Sequence, residues 1–147
     1  MLWVLGYAAK AQEVRWDTCK FMTYNVLNFD NTGNDKEQYL FEVVDSMHPD
    51  ILIVQELIEL SGAIRFFDSV VYKVDTNYAM GTFINSFDTD NGIYFRKDKF
   101  AFITNIPITT ELRDINEFQL KHIASGEEIY FYSLHLKASS GGTNADQ

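Results

Sequence analysis

Apolar and polar positions along this chain fall into blocks of different period, and the period of each block predicts an element. Residues 19–26 are rich in β-favouring side chains and run into Asn28-Phe29-Asp30-Asn31-Thr32-Gly33-Asn34, a loop by composition. From Asn34 or Asp35, either able to cap a helix, Leu40, Phe41, Val43, Val44 and Met47 recur at helical spacing. His48-Pro49-Asp50 ends that helix, because proline restricts the residue before it and cannot continue the hydrogen-bond ladder. Ile51-Leu52-Ile53-Val54 is a continuous apolar run, the pattern of a strand covered on both faces. Together these make a β-loop-α-β unit.

Beyond it the chain becomes strand-dominated. A short helix is expected over residues 61–67, then strands over 70–74, 92–96, 100–108, 117–123 and 128–136. Ser125-Gly126-Glu127 reads as a hairpin connection, and Asp88-Thr89-Asp90-Asn91-Gly92 as a turn on the strength of its Asn-Gly pair. No internal repeat or linker divides the chain. The fold class is α/β.

Composition narrows the function. The 147 residues include 46% hydrophobic and 22% charged side chains, with 12 Phe and 8 Tyr, which suits an aromatic-rich sheet interior. The net charge is −9, and no cluster of Lys and Arg is present to displace counterions from a phosphate backbone. A passive nucleic-acid-binding module is therefore disfavoured, and no stable nucleic-acid complex is expected. An enzyme that brings its own cation to a phosphate is less constrained, because the metal supplies the positive charge. Cys19 is the sole cysteine, which excludes an internal disulfide and a C-x-x-C site; among strand residues it is expected to be a buried small side chain.

At the amino terminus, Leu2 to Ala8 is a short apolar run, and Ala9 and Ala11 stand at the −3 and −1 positions before Gln12. This small-residue pattern points to a signal peptide over residues 1–11, shortened at its basic end, and to a secreted or periplasmic protein. No other stretch approaches the ~18 apolar residues of a membrane span, so no integral membrane association is expected.

Each of three strand ends puts a polar group just past apolar residues. Asn25 stands in Met22-Thr23-Tyr24-Asn25-Val26-Leu27-Asn28-Phe29, Glu56 in Pro49-Asp50-Ile51-Leu52-Ile53-Val54-Gln55-Glu56, and His135 in Tyr130-Phe131-Tyr132-Ser133-Leu134-His135-Leu136-Lys137. In α/β architectures functional groups gather where the carboxyl ends of strands open into loops. A carboxylate, an amide and an imidazole meeting there can hold one hard cation and orient a phosphate. Oxygen ligands suit Mg²⁺ or Mn²⁺. Each residue also has a plainer reading: Glu56 as a solvated strand-end carboxylate, Asn25 as a turn cap, His135 as a core histidine. Arg113 by itself reads as a solvated charge. His48, at a helix end beside Pro49, and His122 read as structural.

Tyr-Asn-Val-Leu-Asn-Phe, Pro-Asp-Ile-Leu-Ile-Val-Gln-Glu and Ser-Leu-His-Leu-Lys-Ala-Ser stand in the order and spacing of the endonuclease/exonuclease/phosphatase superfamily, which the chain resembles from about Lys20 onward. Asn91 to Phe100 also resembles that family's central strand. The resemblance implies a divalent-metal-dependent phosphoesterase acting on phosphodiester or phosphomonoester bonds, with nucleic acid, nucleotide or lipid head group as substrate. It implies a metal ligand at Glu56, a metal- and phosphate-positioning amide at Asn25, a phosphate-binding and acid–base group at His135, and a substrate-phosphate contact at Arg113. The implied architecture is a four-layer α/β-β/α sandwich, two facing mixed sheets with helices outside.

Two departures matter. Where some members carry an acidic residue two positions after the first asparagine, this chain has Leu27, which weakens the case for a second metal. The family's later Gly-Asp-(apolar)-Asn and Ser-Asp-His segments do not occur between Met1 and Gln147. Residues 18–147 are accordingly expected to be the amino-terminal part of such a domain, its carboxyl-terminal half missing. The alternative is a catalytically inactive fragment or pseudo-enzyme that binds only metal or a partner.

Overall fold

A computed structural model describes residues 17–33, 35–86, 88–111 and 113–136. The signal peptide read over residues 1–11, the cap reading of Asn34 and the polar tail from Ala138 lie outside these residues.

Strand β1 (Phe21–Phe29) leads into helix α1 (Lys36–Met47), which returns the chain to strand β2 (Ile51–Leu57), parallel to β1. This is the expected β-loop-α-β unit. Helix α1 ends with His48 in the left-handed conformation, its N–H donating to the Val44 carbonyl at 2.8 Å, so His48 has the structural role its position suggests. Helix α2 (Glu59–Phe66) runs through a π-helical stretch (Phe67–Val71) into the short α3 (Tyr72–Val74). Residues 70–74 are thus helical rather than a strand. Ala63, Phe66, Val70 and Val74 already recur at helical spacing, and the β-branched residues had masked that stripe. The short strand β3 (Tyr78–Met80), unmarked in the sequence, pairs with β4 (Asp90–Arg96).

Asn91 and Gly92 also depart from expectation: both lie within β4, buried, and form no turn. Their dipeptide signal is overridden by packing, since a Cβ at Gly92 would stand 2.7 Å from Leu57 Cδ1. Cys19 is exposed, not buried, because it precedes β1.

The first sheet has the order β1-β2-β4-β3, and the second, antiparallel, has β5 (Phe100–Ile108), β6 (Ile115–His122) and β7 (Glu128–Ser133) in sequence order. Gly126, at φ 76°, turns β6 into β7, as its sequence setting suggests. Alternation along β2 explains its unbroken apolar run. Leu52, Val54 and Leu57 face the helices with Val44, Phe66 and Tyr94, while Ile51 and Ile53 face the second sheet with Ile93, Phe95, Phe100, Phe118 and Leu120. Each such side chain contributes about 1.5–3 kcal/mol by leaving water. Helix, sheet and sheet make three of the four layers the resemblance implies; the outer face of the second sheet carries exposed Ile106, Ile108, Tyr130 and Tyr132.

Candidate metal and phosphate site

Strands β1 and β2 stop behaving as regular strands at the same level. Their parallel pairing holds to Asn25↔Gln55 and resumes only at Phe29↔Leu57, and β2 loses register with β4 between Val54 and Leu57. Within these bulges Leu27, Asn28 and Glu56 take left-handed backbone conformations, with φ of 54°, 50° and 63°. Such conformations cost non-glycine residues on the order of 1–3 kcal/mol each, about the burial of one core side chain apiece. The packed layers on either side of β2 supply that, and strain of this kind gathers where side chains are aimed for a purpose.

The aim here is convergence. The Asn25 amide donates from Nδ2 to Glu56 Oε1 at 2.9 Å, and its oxygen accepts from the Leu27 N–H at 2.9 Å. Glu56 Oε2 accepts from the Asn28 N–H at 3.1 Å. His135, two residues past the end of β7 in the other sheet, brings Nε2 to 3.2 Å from Glu56 Oε1. Arg113, from the segment joining β5 and β6, sets Nη1 at 3.0 Å from His135 Nδ1 and 3.1 Å from Nε2. Near-equal distances to both ring nitrogens put the guanidinium over that edge of the imidazole rather than in line with one lone pair. The structure therefore brings all four sequence-predicted residues, Asn25, Glu56, His135 and Arg113, into one cluster.

A fifth member went unseen in the sequence. Asp88 Oδ2 accepts from Arg113 Nε at 2.7 Å. Asp88 lies in a segment read only as a turn, so nothing local marked it. Burial pulls the His135 pKa down, the Arg113 charge adds to that, and Glu56 and Asp88 oppose it. The imidazole is biased toward its neutral form, able to donate from one nitrogen and accept at the other.

A polar layer beneath the cluster was also missed. Gln55 Nε2 donates to Thr23 Oγ1 at 2.8 Å and to Ser133 Oγ at 3.3 Å, tying the strand that carries Glu56 to the strand that leads to His135. Alongside, Asn91 donates to Asn116 at 2.8 Å, Asn116 to Asn105 at 3.0 Å, and Asn105 to the Thr82 carbonyl at 2.9 Å. Its signal was available: Asn105, Asn116 and Ser133 occupy inward positions of alternating strands, where apolar residues are the rule.

Could these residues hold a cation? A carboxylate offers about four lone-pair sites. Asn25, Asn28 and His135 face three on Glu56, which leaves room for one metal bond at a side chain 14% exposed. Among the described residues no group of three or more His, Cys, Asp or Glu is arranged as a metal cage. One carboxylate with an adjacent amide fits a cation that keeps most of its water, as Mg²⁺ commonly does. A recess of about 690 Å³ beside α1, lined by residues including Glu37, Phe41 and Lys73, contains none of the cluster residues.

No protein-family model and no curated protein sequence matches the chain. Solved structures match its fold. TDP2 of D. rerio, complexed with single strand DNA product, aligns at TM-score 0.64 and 22% identity, covering 88% of this chain and 49% of that one. ANGEL2, a 2',3'-cyclic phosphatase, aligns at TM-score 0.57 and 15% identity, covering 81% and 41%. The human Nocturnin catalytic domain with bound sulfate anion aligns at TM-score 0.55 and 18% identity, covering 77% and 48%. The chain thus spans less than half the length of each of these structures. These likenesses show a shared α/β fold.

Proposed function

We propose that the chain supplies the metal- and phosphate-holding part of a divalent-metal-dependent phosphoesterase, acting on phosphodiester or phosphomonoester bonds. The observation that carries this reading is the meeting of Glu56, Asn25, His135 and Arg113 across two sheets, with Glu56 held in a strained backbone conformation. Structures that share the fold include a 2',3'-cyclic phosphatase and a protein crystallised with a DNA product, both concerned with phosphate esters. A net charge of −9 argues against grip on a long nucleic acid and favours a small or lipid-like ester. The secreted location stays part of the proposal on the Ala9 and Ala11 pattern alone.

In this reading Glu56, assisted by the Asn25 amide, would hold Mg²⁺ or Mn²⁺. Such an ion, when bound, polarises a phosphoryl oxygen and offsets charge developing on it. The Asn25 Nδ2 and Asn28 N–H donors fix the carboxylate so that it need not reorganise during reaction. The Arg113 guanidinium offers planar donors to phosphate oxygens. His135, biased toward its neutral form by burial and the Arg113 charge, can donate a hydrogen bond to, or accept a proton from, a group on the ester. No other His–carboxylate pair adjoins this cluster among the described residues, so water activation is assigned to no residue described.

Mn²⁺ affinity measured by electron paramagnetic resonance tests the reading. Glu56→Ala should weaken Mn²⁺ binding by tenfold or more, and Asn25→Ala by less. Equal affinity in wild type and Glu56→Ala would remove Glu56 from any metal site. Should Mn²⁺ bind through Glu56 without any phosphate affinity, the non-catalytic metal-binding alternative would be the one left standing.

A further inference from the structure

Asp88 and Arg113 come from opposite sheets: Asp88 from the segment between β3 and β4, Arg113 from that between β5 and β6. Their ion pair at 2.7 Å is the outermost link of a chain that continues through His135 to Glu56 and Asn25. Arg113 is the more sheltered partner, its side chain 21% exposed against 48% for Asp88. A surface ion pair is ordinarily worth little. This one has a geometric consequence that its energy does not measure.

An arginine carries five N–H donors in a rigid planar fork on a long flexible stem. Asp88 engages Nε, and Nη1 lies against the His135 ring. No described residue accepts from Nη2. The main chain holds the stem's root as well, for the Arg113 carbonyl accepts from Thr110 Oγ1 at 2.8 Å. With root and inner edge fixed, the outer donors of the fork have one direction left to face.

We infer that Asp88 is a positioning residue: it holds Arg113 across His135 so that the free edge of the guanidinium meets a phosphoryl group bound beside Glu56. This rests on the reading of the site as phosphate-binding. Two physical effects of Asp88 oppose each other, which makes the inference sharp. As a bare negative charge it repels phosphate, so its removal should tighten phosphate binding. As an anchor it spares Arg113 the entropy of being ordered by the ligand, so its removal should loosen binding. The 2.7 Å contact and the guanidinium over the imidazole indicate that the anchor prevails.

The test uses the full 147-residue chain in saturating Mg²⁺, with inorganic phosphate as probe, read by isothermal titration calorimetry. Mn²⁺ affinity is measured in parallel, and circular dichroism verifies the fold of each variant. Asp88→Asn and Asp88→Ala should each weaken phosphate binding by roughly tenfold, the scale of losing one charge-assisted contact. Asp88→Glu, which can still reach Nε, should recover most of that loss, and Mn²⁺ affinity should not change. Asp88→Asn binding phosphate as tightly as wild type, or more tightly, would overturn the inference while leaving the Glu56 reading intact. Phosphate binding absent from wild type would bring down this inference together with the phosphate-binding reading, and Mn²⁺ binding that ignores Glu56→Ala would sink the metal reading alone.

Discussion

His135 Nε2 lies 3.2 Å from Glu56 Oε1, although Glu56 is the last residue but one in a strand of one sheet and His135 follows a strand of the other. Neither residue could reach the other by local geometry, so the contact depends on how the two sheets are held together. Asn25 and Glu56 are built on adjacent parallel strands, while His135 and Arg113 arrive across the sheet–sheet interface.

Activity of the chain by itself should be absent. The described residues provide groups to hold a cation and a phosphate, and no assigned group to activate water. Hydrolysis of bis-p-nitrophenyl phosphate in Mg²⁺ by the 147-residue chain should not exceed that of Glu56→Ala. Turnover that needs Glu56 would refute this and show that the residues between Met1 and Gln147 suffice.

The amide chain beneath the cluster should matter to stability out of proportion to its size. Asn116 is 4% exposed, accepts from Asn91 and donates to Asn105. Replacing it with leucine leaves a buried donor and a buried acceptor without partners, costing about 2–4 kcal/mol. A urea titration should show a correspondingly lower midpoint; an unchanged midpoint would mean that water reaches the interface.

Asp90 predicts a pH dependence. It is 5% exposed, one oxygen accepts from the Ser86 N–H and hydroxyl, and the other has no partner among the described residues. Burial raises its pKa above the ordinary 3.8, opposed by the Ser86 bonds and aided by Asp114 and Asp88. The folded chain then keeps this proton where the unfolded chain has released it. The contribution to stability is complete below 3.8 and is lost as pH climbs through the raised folded value. Asp90→Asn should therefore gain stability relative to wild type as pH rises from 4 toward 7, whatever constant offset the amide introduces. Parallel denaturant curves at several pH values measure this, and a difference independent of pH would contradict it.

Exposed Ile106 and Tyr132 flank Glu117 across neighbouring strands on the outer face of the second sheet, with Ile108 and Tyr130 nearby. An apolar face of this kind favours association at high concentration. Ile106→Lys with Tyr132→Lys should shift sedimentation toward monomer without altering the circular dichroism spectrum. Identical sedimentation of variant and parent would exclude this face as the contact.

Much of this was legible in the amino-acid pattern, and the parts that were not share a cause. The β-loop-α-β unit and β5 were readable because helix α1 shows one stripe and β2 one unbroken apolar run. The helical segment at Val70 and Val71 misled because β-branched residues favour strands wherever packing does not intervene, and here the stripe with Phe66 does. Asn91-Gly92 misled in the same way, a local turn preference losing to a buried strand. Asn25, Glu56 and His135 were found because each ends an apolar run. Asp88 could not be, since its role exists only once Arg113 folds against it from another sheet.

Glutamate at φ 63° sets two kinds of selection at odds. Glycine adopts that conformation freely and asparagine tolerates it. A library randomised at position 56 and sorted for survival of heat or protease would be drawn toward glycine and asparagine. The same library sorted for cation capture would return to glutamate, and the two winners would not be the same protein.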